Sequence, residues 1–199
     1  NLALNAGARY NAFDIQARFL TQFTPLPLPS EESRITDGAL TGSLGLVYEE
    51  YNDIRIGAVV STGFRAPNID DIGKVFDSEP GSVVVPNPNL DAEYATNFEL
   101  GISKVFAERL KINLTGYYTL LDDALVRRDF TLNGQDSIPY RGDLSQVQAI
   151  QNAADANVYG VQLGIKVNLP ANFTLLTDVN YQRGVEEMND GTTSPSRHA

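Results

Sequence analysis

The sequence predicts an all-β protein, an antiparallel up-and-down meander of about seven long strands forming part of a transmembrane β-barrel. Three observations carry that prediction. Apolar and polar residues alternate with a period of two, short turns alternate with long connections, and charges keep to one parity of the alternation.

The strands follow in order. From Leu2 to Tyr10 the even positions read Leu, Leu, Ala, Ala, Tyr, and the odd positions between them read Ala, Asn, Gly, Arg. One face of that strand is therefore apolar and the other polar. Leu40, Leu44, Leu46 and Tyr48 then oppose Thr41, Ser43 and Glu49. Ile54, Ile56, Ala58, Val60 and Phe64 oppose Arg55, Gly57, Ser61 and Arg65. Phe98, Leu100 and Ile102 oppose Asn97, Glu99 and Ser103, and Leu110, Ile112, Leu114 and Tyr118 oppose Lys111, Asn113, Thr115 and Thr119. After a long interruption Val161, Leu163, Ile165 and Val167 oppose Gln162, Gly164 and Lys166. Phe173, Leu175, Val179 and Tyr181 close the series against Thr174, Asp178, Asn180 and Gln182.

The connections also alternate. Glu50–Asp53, Phe106–Arg109 and Asn168–Asn172 read as tight turns. Phe13–Gly38, Ala66–Glu93 and Arg127–Ala156 read as long loops rich in Pro, Gly, Asp and Ser, and Val185–Ala199 begins another. Short turns at one end and long loops at the other are the geometry of an outer-membrane barrel. Strands of roughly 10 to 13 residues cover the 9 to 11 that a bilayer crossing needs. The polar face is rich in Gly, Asn, Ser and Thr, as a crowded lumen would be. Tyr10, Tyr48, Phe64, Tyr94, Phe106, Tyr118, Phe173 and Tyr181 gather near strand ends, as interfacial girdles do. Arg9, Glu49, Arg55, Arg65, Glu99, Lys111, Lys166 and Asp178 all lie on the polar parity. Lys104 breaks the rule beside a tight turn, where its stem can snorkel.

Composition excludes several function classes. Fifteen Lys and Arg against 25 Asp and Glu give a net charge of -10, the wrong sign for a nucleic-acid binder. Cysteine is absent and the one histidine is His198, so neither a disulfide framework, a thiolate metal site nor a His-based triad is expected. No catalytic residue, metal site or cofactor is assigned, and the reading is of a non-enzyme. Asn1 opens directly into strand-like sequence with no leader before it, as a mature or trimmed envelope chain would. Closed barrels start at eight strands and bacterial ones are even-numbered. Residues 1–199 are therefore expected to be a partial barrel domain, lacking the remaining strands, with two open edges through which the fragment could self-associate.

Two stretches carry a family resemblance. Gly63–Ile72 (GFRAPNIDDI) and Pro86–Ile102 (PNPNLDAEYATNFELGI) resemble the C-terminal half of the barrel of TonB-dependent outer-membrane receptors. Gly116–Arg128 (GYYTLLDDALVRR) is similar to the strand that follows, and Asn152–Ile165 (NAADANVYGVQLGI) to the return strand. Asp91-Ala92 stands where Lys-Pro is commoner, and Gln162 where the family usually has Glu. The resemblance implies a bacterial outer-membrane location and a 22-stranded barrel with a plug domain in the same full-length chain. It also implies uptake of a scarce small-molecule nutrient (a siderophore, haem, cobalamin or an oligosaccharide). Energy would come from a TonB-type transducer acting through a segment outside these residues.

For sites, the reading places Arg65, Asn68, Asp70, Asp71, Asp77 and Glu79 at the outer loop and rim as candidate ligand contacts. Arg65 and Glu99 are expected to form a structural pair on the lumen parity. The acidic loop around Asp70, Asp71, Asp77, Glu79, Asp91 and Glu93 is expected to be solvated, with one helical turn near Ile69, Ile72, Val75 and Phe76. Gly160 is expected to ease strand curvature, with Tyr159 covering its bare backbone. Asn87-Pro88-Asn89 reads as turn chemistry. Two other classes fit the alternation: a passive porin-type channel with no plug, and a soluble β-rich adhesion or carbohydrate-binding module. The latter would bury Leu44, Ile56 and Leu100 under a second layer.

Overall fold

The structure, a computed structural model, describes residues 1–19, 26, 28, 32–50, 54–73, 75–188 and 193–195. In chain order the elements are β1 (Leu2–Arg18), β2 (Glu32–Glu50), β3 (Ile54–Arg65), α1 (Ile69–Gly73), β4 (Phe76–Glu79), β5 (Ser82–Val84), β6 (Glu93–Phe106), β7 (Leu110–Asp129), β8 (Ser137–Tyr140), β9 (Asp143–Asn168), β10 (Thr174–Met188) and β11 (Thr193–Pro195). Seven of them pair antiparallel in the order β1-β2-β3-β6-β7-β9-β10 and make an open wall. Those are the seven strands the alternation predicts.

The register aligns the apolar parities of all seven. Leu4, Leu46, Ala58, Leu100, Gly116, Val161 and Tyr181 stand side by side, one from each strand. Leu2, Tyr48, Ile56, Ile102, Leu114, Leu163 and Val179 form the next row. A one-residue slip in any pair would carry that strand's apolar side chains to the polar face, so the pattern itself fixes the register. The other face carries rows such as Asn5, Gly45, Val59, Glu99, Tyr117, Gly160 and Gln182. Leu44, Ile56 and Leu100 are 55%, 40% and 64% exposed, so among the described residues no second layer covers the apolar face and the soluble-module reading fails.

Two of the short connections are as expected. Arg109 N–H donates to the Phe106 carbonyl at 3.0 Å, with Ala107 and Glu108 at φ 47° and 58°. Two left-handed residues in a two-residue loop match the twist of the flanking strands. Leu169 N–H donates to the Phe173 carbonyl at 2.8 Å across the short turn Pro170–Asn172. The centre of Glu50–Asp53 lies outside the described residues. Lys104, on the apolar parity at this end, sets its ammonium 5.1 Å from the Phe106 ring centroid.

The long connections differ from the expectation of open loops. β1 and β2 pair without a break from Leu2↔Tyr48 to Arg18↔Glu32, so much of Phe13–Gly38 is strand. At 26 residues, β9 takes in the second half of Arg127–Ala156, and the end of β7 and all of β8 take in parts of the first. The physical reason is an inversion of parity at the rim. Below it the even residues Leu2, Leu4 and Tyr10 are apolar. Above it the even residues are Asp14, Gln16 and Arg18, all exposed, while the odd residues Phe13, Ile15 and Ala17 turn inward. A strand whose two faces exchange character halfway no longer matches one alternating template. Along β7 and β9 the parity is also offset by two opposed bulges, between Leu121 and Leu125, where Asp123 takes φ 57°.

Above the rim the chain builds a small lobe with its own apolar contacts. β5 runs parallel to the outer part of β9, β4 pairs with β5, and β8 pairs with β9. Val83, Val85, Leu132, Ile138, Tyr140 and Val147 form one buried cluster, joined by Leu26 from between β1 and β2. Ala17, Ile35, Ile72, Leu90 and Leu125 form a second. Segments from the β1–β2 side and from the β7–β9 side of the wall therefore take part in these clusters above the rim. The expected helical turn is α1; Val75 and Phe76 fall beyond it, Phe76 as the first residue of β4.

Candidate functional site

The outer end of β3 delivers Arg65, and Pro67, buried, ends the strand because it has no N–H for the ladder. Asn68 then caps α1. Its Oδ1 accepts the N–H groups of Asp70 (2.8 Å) and Asp71 (3.0 Å), while Asp71 Oδ2 accepts the N–H of Asn68 at 2.9 Å. This reciprocal arrangement is a capping box with Asp in the reaching-back position. The same Asp71 oxygen is 3.2 Å from one amino group of Arg65.

Arg65 stands opposite Glu93 in the β3–β6 ladder, and its second amino group is 3.7 Å from Glu93 Oε2. That oxygen also accepts the N–H of Leu125 at 2.9 Å, at the bulge on β7. Glu93 is only 7% exposed, yet its charge has both a cation and an amide donor. The expected partner Glu99 is placed elsewhere: it pairs with Val59, six residues further down the ladder or about 20 Å at 3.3 Å per residue. The Arg65–Glu99 pair is therefore corrected to Arg65–Glu93 and Arg65–Asp71. Glu93 and Glu99 share one parity, and only the register distinguishes them.

The return of the excursion is fastened as well. Asn87 Nδ2 donates to the Ile150 carbonyl at 2.8 Å, and its Oδ1 accepts the Asn89 N–H at 3.0 Å. Asn152 Oδ1 accepts the Asp91 N–H at 3.0 Å, and its Nδ2 donates to the carbonyls of Asp91 (3.1 Å) and Asp123 (2.8 Å). The expected solvated loop is thus largely closed: residues 82–87 and 90 are buried, as are Ala92 and Glu93.

Of the predicted site residues, Arg65, Asn68 and Asp71 come together, with Asp70 on the same turn. Asp77 and Glu79 lie in β4, opposite Val83 and Ser82, and their side chains fall outside the described residues. His198 also lies outside them. Glu93, Asn87, Asn152 and the Leu125 amide belong to the site as well, and none of them is among the residues expected there from the sequence. The spacing Asn-x-x-Asp at Asn68–Asp71 was a readable capping signal; the tertiary partners of Glu93 and Asn152 had none. On the polar face, Gly160 is covered by Tyr117 of the neighbouring strand and not by Tyr159. A Cβ there would meet the Tyr117 hydroxyl at 2.5 Å and clash with the Tyr181 carbonyl. The Tyr117 hydroxyl is 3.2 Å from Gln182 Oε1. At the outer end of the β1–β2 ladder, Arg34 Nε donates to Asp14 Oδ1 at 2.9 Å and holds the Asp14 carboxyl below the usual carboxylate range.

A wall of long antiparallel strands, apolar on one face and polar on the other, with short turns at one end and a folded lobe at the other, defines an outer-membrane-type β-barrel. Residues 1–197 match the model of the TonB dependent receptor-like β-barrel family, and the chain belongs to that family. It is 26% identical over 209 residues to hemoglobin-haptoglobin utilization protein B of Neisseria meningitidis serogroup A, an alignment covering 96% of this chain and 26% of that protein. It is 28% identical over 116 residues to the vitamin B12 transporter BtuB of Photobacterium profundum, covering 57% of this chain and 18% of that one. The chain thus spans about a quarter of the length of the first of these relatives. Among solved structures, the FrpB iron transporter of Neisseria meningitidis (F5-1 variant) superposes with a TM-score of 0.64 at 16% identity, over 94% of this chain and 24% of that one. The copper transporter OprC superposes with a TM-score of 0.65 at 15% identity, over 92% and 27%. These two likenesses are of fold.

Proposed function

We propose that this chain is part of the barrel wall of a Gram-negative outer-membrane receptor that takes up a scarce nutrient at its outer mouth. The carrying observation is the seven-strand alignment of apolar parity across the wall, with Lys104 set beside a short turn at one end and the folded lobe beginning at the other. A face of that kind suits lipid, and its polar reverse suits a lumen. The plug domain of the full-length chain would fill that lumen, and a TonB-type transducer would supply energy through it. The ligand class is a siderophore, haem, cobalamin or an oligosaccharide. Relatives named for hemoglobin-haptoglobin utilization and for vitamin B12 transport support haem and cobalamin over the other two. The ligand side is the lobe around Arg65, Asn68, Asp70, Asp71, Asp77 and Glu79, in which Arg65 and Asp71 shape the surface and the exposed residues of α1 meet the ligand.

The test uses the full-length protein carrying this sequence, expressed in a receptor-deficient Gram-negative host. Haemin, cyanocobalamin, ferrichrome and maltotriose are offered as probes, with and without the host's energy transducer. The expected result is an outer-membrane protein that accumulates one probe only when the transducer is present. Accumulation indifferent to the transducer would make it a passive channel. Recovery in a soluble fraction would overturn the membrane reading.

A further inference from the structure

We infer that the described residues of 66–92 form a fixed strut of the outer mouth, held by Glu93 as its positioning residue, and not a lid that closes over ligand. Long loops at a binding mouth are the usual candidates for gating, because gating segments come from the least stable parts of a structure, with few buried contacts and exposed backbone hydrogen bonds. This excursion has the opposite character.

It is fastened where it leaves the wall and where it returns. On leaving, the Arg65 fork grips Asp71, and the capping box ties α1 to Asn68. On returning, Glu93 joins Arg65 of β3 to the Leu125 amide of β7, so one carboxylate links three wall strands. Between those ends β5 pairs with β9, and Val85 N–H donates to the Gln148 carbonyl at 2.8 Å. Asn87 donates from its side chain to Ile150 of β9, and Asn152 of β9 donates from its side chain to the Asp91 carbonyl. Ile72 and Val83 are fully buried, one in each apolar cluster. Swinging residues 66–92 away would expose both clusters and cost Arg65 its Asp71 carboxylate, while Glu93, in β6, keeps the guanidinium and the Leu125 amide fixed at the base of the excursion. The ligand therefore meets a preformed surface, and binding does not pay to order these residues.

The inference rests on the receptor reading only in taking this end as the ligand side. Its test needs no ligand, so the two can fail separately. Amide hydrogen exchange is followed in the full-length protein in nanodiscs. Wild-type amides of Asp71, Ile72, Val85 and Leu125 are expected to exchange as slowly as those of Leu100–Ser103 in the wall. Exchange of all four as fast as an unstructured segment would overturn the strut. Glu93→Ala should speed exchange at Leu125 and Asp71 by about tenfold or more while the wall is unmoved, the signature of a lost charge-assisted hydrogen bond. Glu93→Gln, which keeps an acceptor for Leu125, should fall between the two. An unchanged pattern in both variants would remove Glu93 from the positioning role, and the wild-type measurement stands even if a variant fails to assemble.

Discussion

Arg65 and Glu93 face each other across the β3–β6 ladder, their side chains 3.7 Å apart, and a second carboxylate, Asp71, closes on the same guanidinium at 3.2 Å. One planar fork thus serves two acids from different elements. A lysine is a point charge on a flexible stem and does not reproduce that geometry. Arg65→Lys is expected to loosen the outer lobe nearly as much as Arg65→Met, by about 1–3 kcal/mol of local stability. Rates of protease nicking within 66–92 in intact cells would show it. Wild-type resistance in Arg65→Lys would mean that charge alone suffices.

Facing is tested at neighbouring positions. Ile56 lies on the apolar row and Gly57 on the polar one, where an added Cβ would meet nothing closer than the Leu46 carbonyl at 4.0 Å. Ile56→Arg places a cation against lipid at a cost of about 2–4 kcal/mol near mid-depth, whereas Gly57→Arg projects into the lumen. Heat-modifiable gel mobility of the outer-membrane protein should show blocked assembly for the first and near-normal yield for the second. Equal yields would contradict the facing.

These two sites also show what was legible in the sequence. The facing of Ile56 follows from alternation, because a strand has only two faces and lipid tolerates one kind of side chain. The Arg65 partnership was legible only to parity: Glu93 and Glu99 share it, and choosing between them needs the β3–β6 register. The outer parts of β1 and β9 were not legible, because the polar and apolar parities exchange above Tyr10 in β1 and are offset at the bulges between β7 and β9. The lobe depends on contacts such as Leu26 with the Val83 cluster, which join distant segments and leave no local signature.

The outer end of the β1–β2 ladder has a defined acid response. The Arg34 hydrogen bond depresses the Asp14 carboxyl, with help from the Thr36 hydroxyl at 3.2 Å, and Arg34 is raised in turn. A carboxyl depressed in the folded state contributes stability above its ordinary value and loses it as pH falls through the lower folded value. The pair is exposed, so the contribution is small. Carbon-detected NMR of Asp14 should show titration below the ordinary aspartate range, moving back up in Arg34→Gln. An Asp14 that titrates normally in the wild type would dissolve the pair.

Finally, the packing of Tyr117 over Gly160 predicts an asymmetry between two wall glycines that share adjacent strands. Gly160 is paired with Tyr117, whose ring lies where a Cβ would go, and the Tyr181 carbonyl closes the other side. Gly116, one residue away from Tyr117 and on the opposite face, has nothing within 4 Å of an added Cβ. Gly160→Ala forces either the ring or the β10 backbone to move, an overpacking cost of about 1–3 kcal/mol. Gly116→Ala meets no such resistance and adds a methyl to the lipid face. Urea unfolding of the refolded full-length barrel in detergent should rank Gly160→Ala well below Gly116→Ala, with Tyr117→Ala/Gly160→Ala regaining part of the loss by freeing the space. If the double variant is no better than the sum of its parts, the ring is not what excludes the methyl and the β10 carbonyl alone sets the limit.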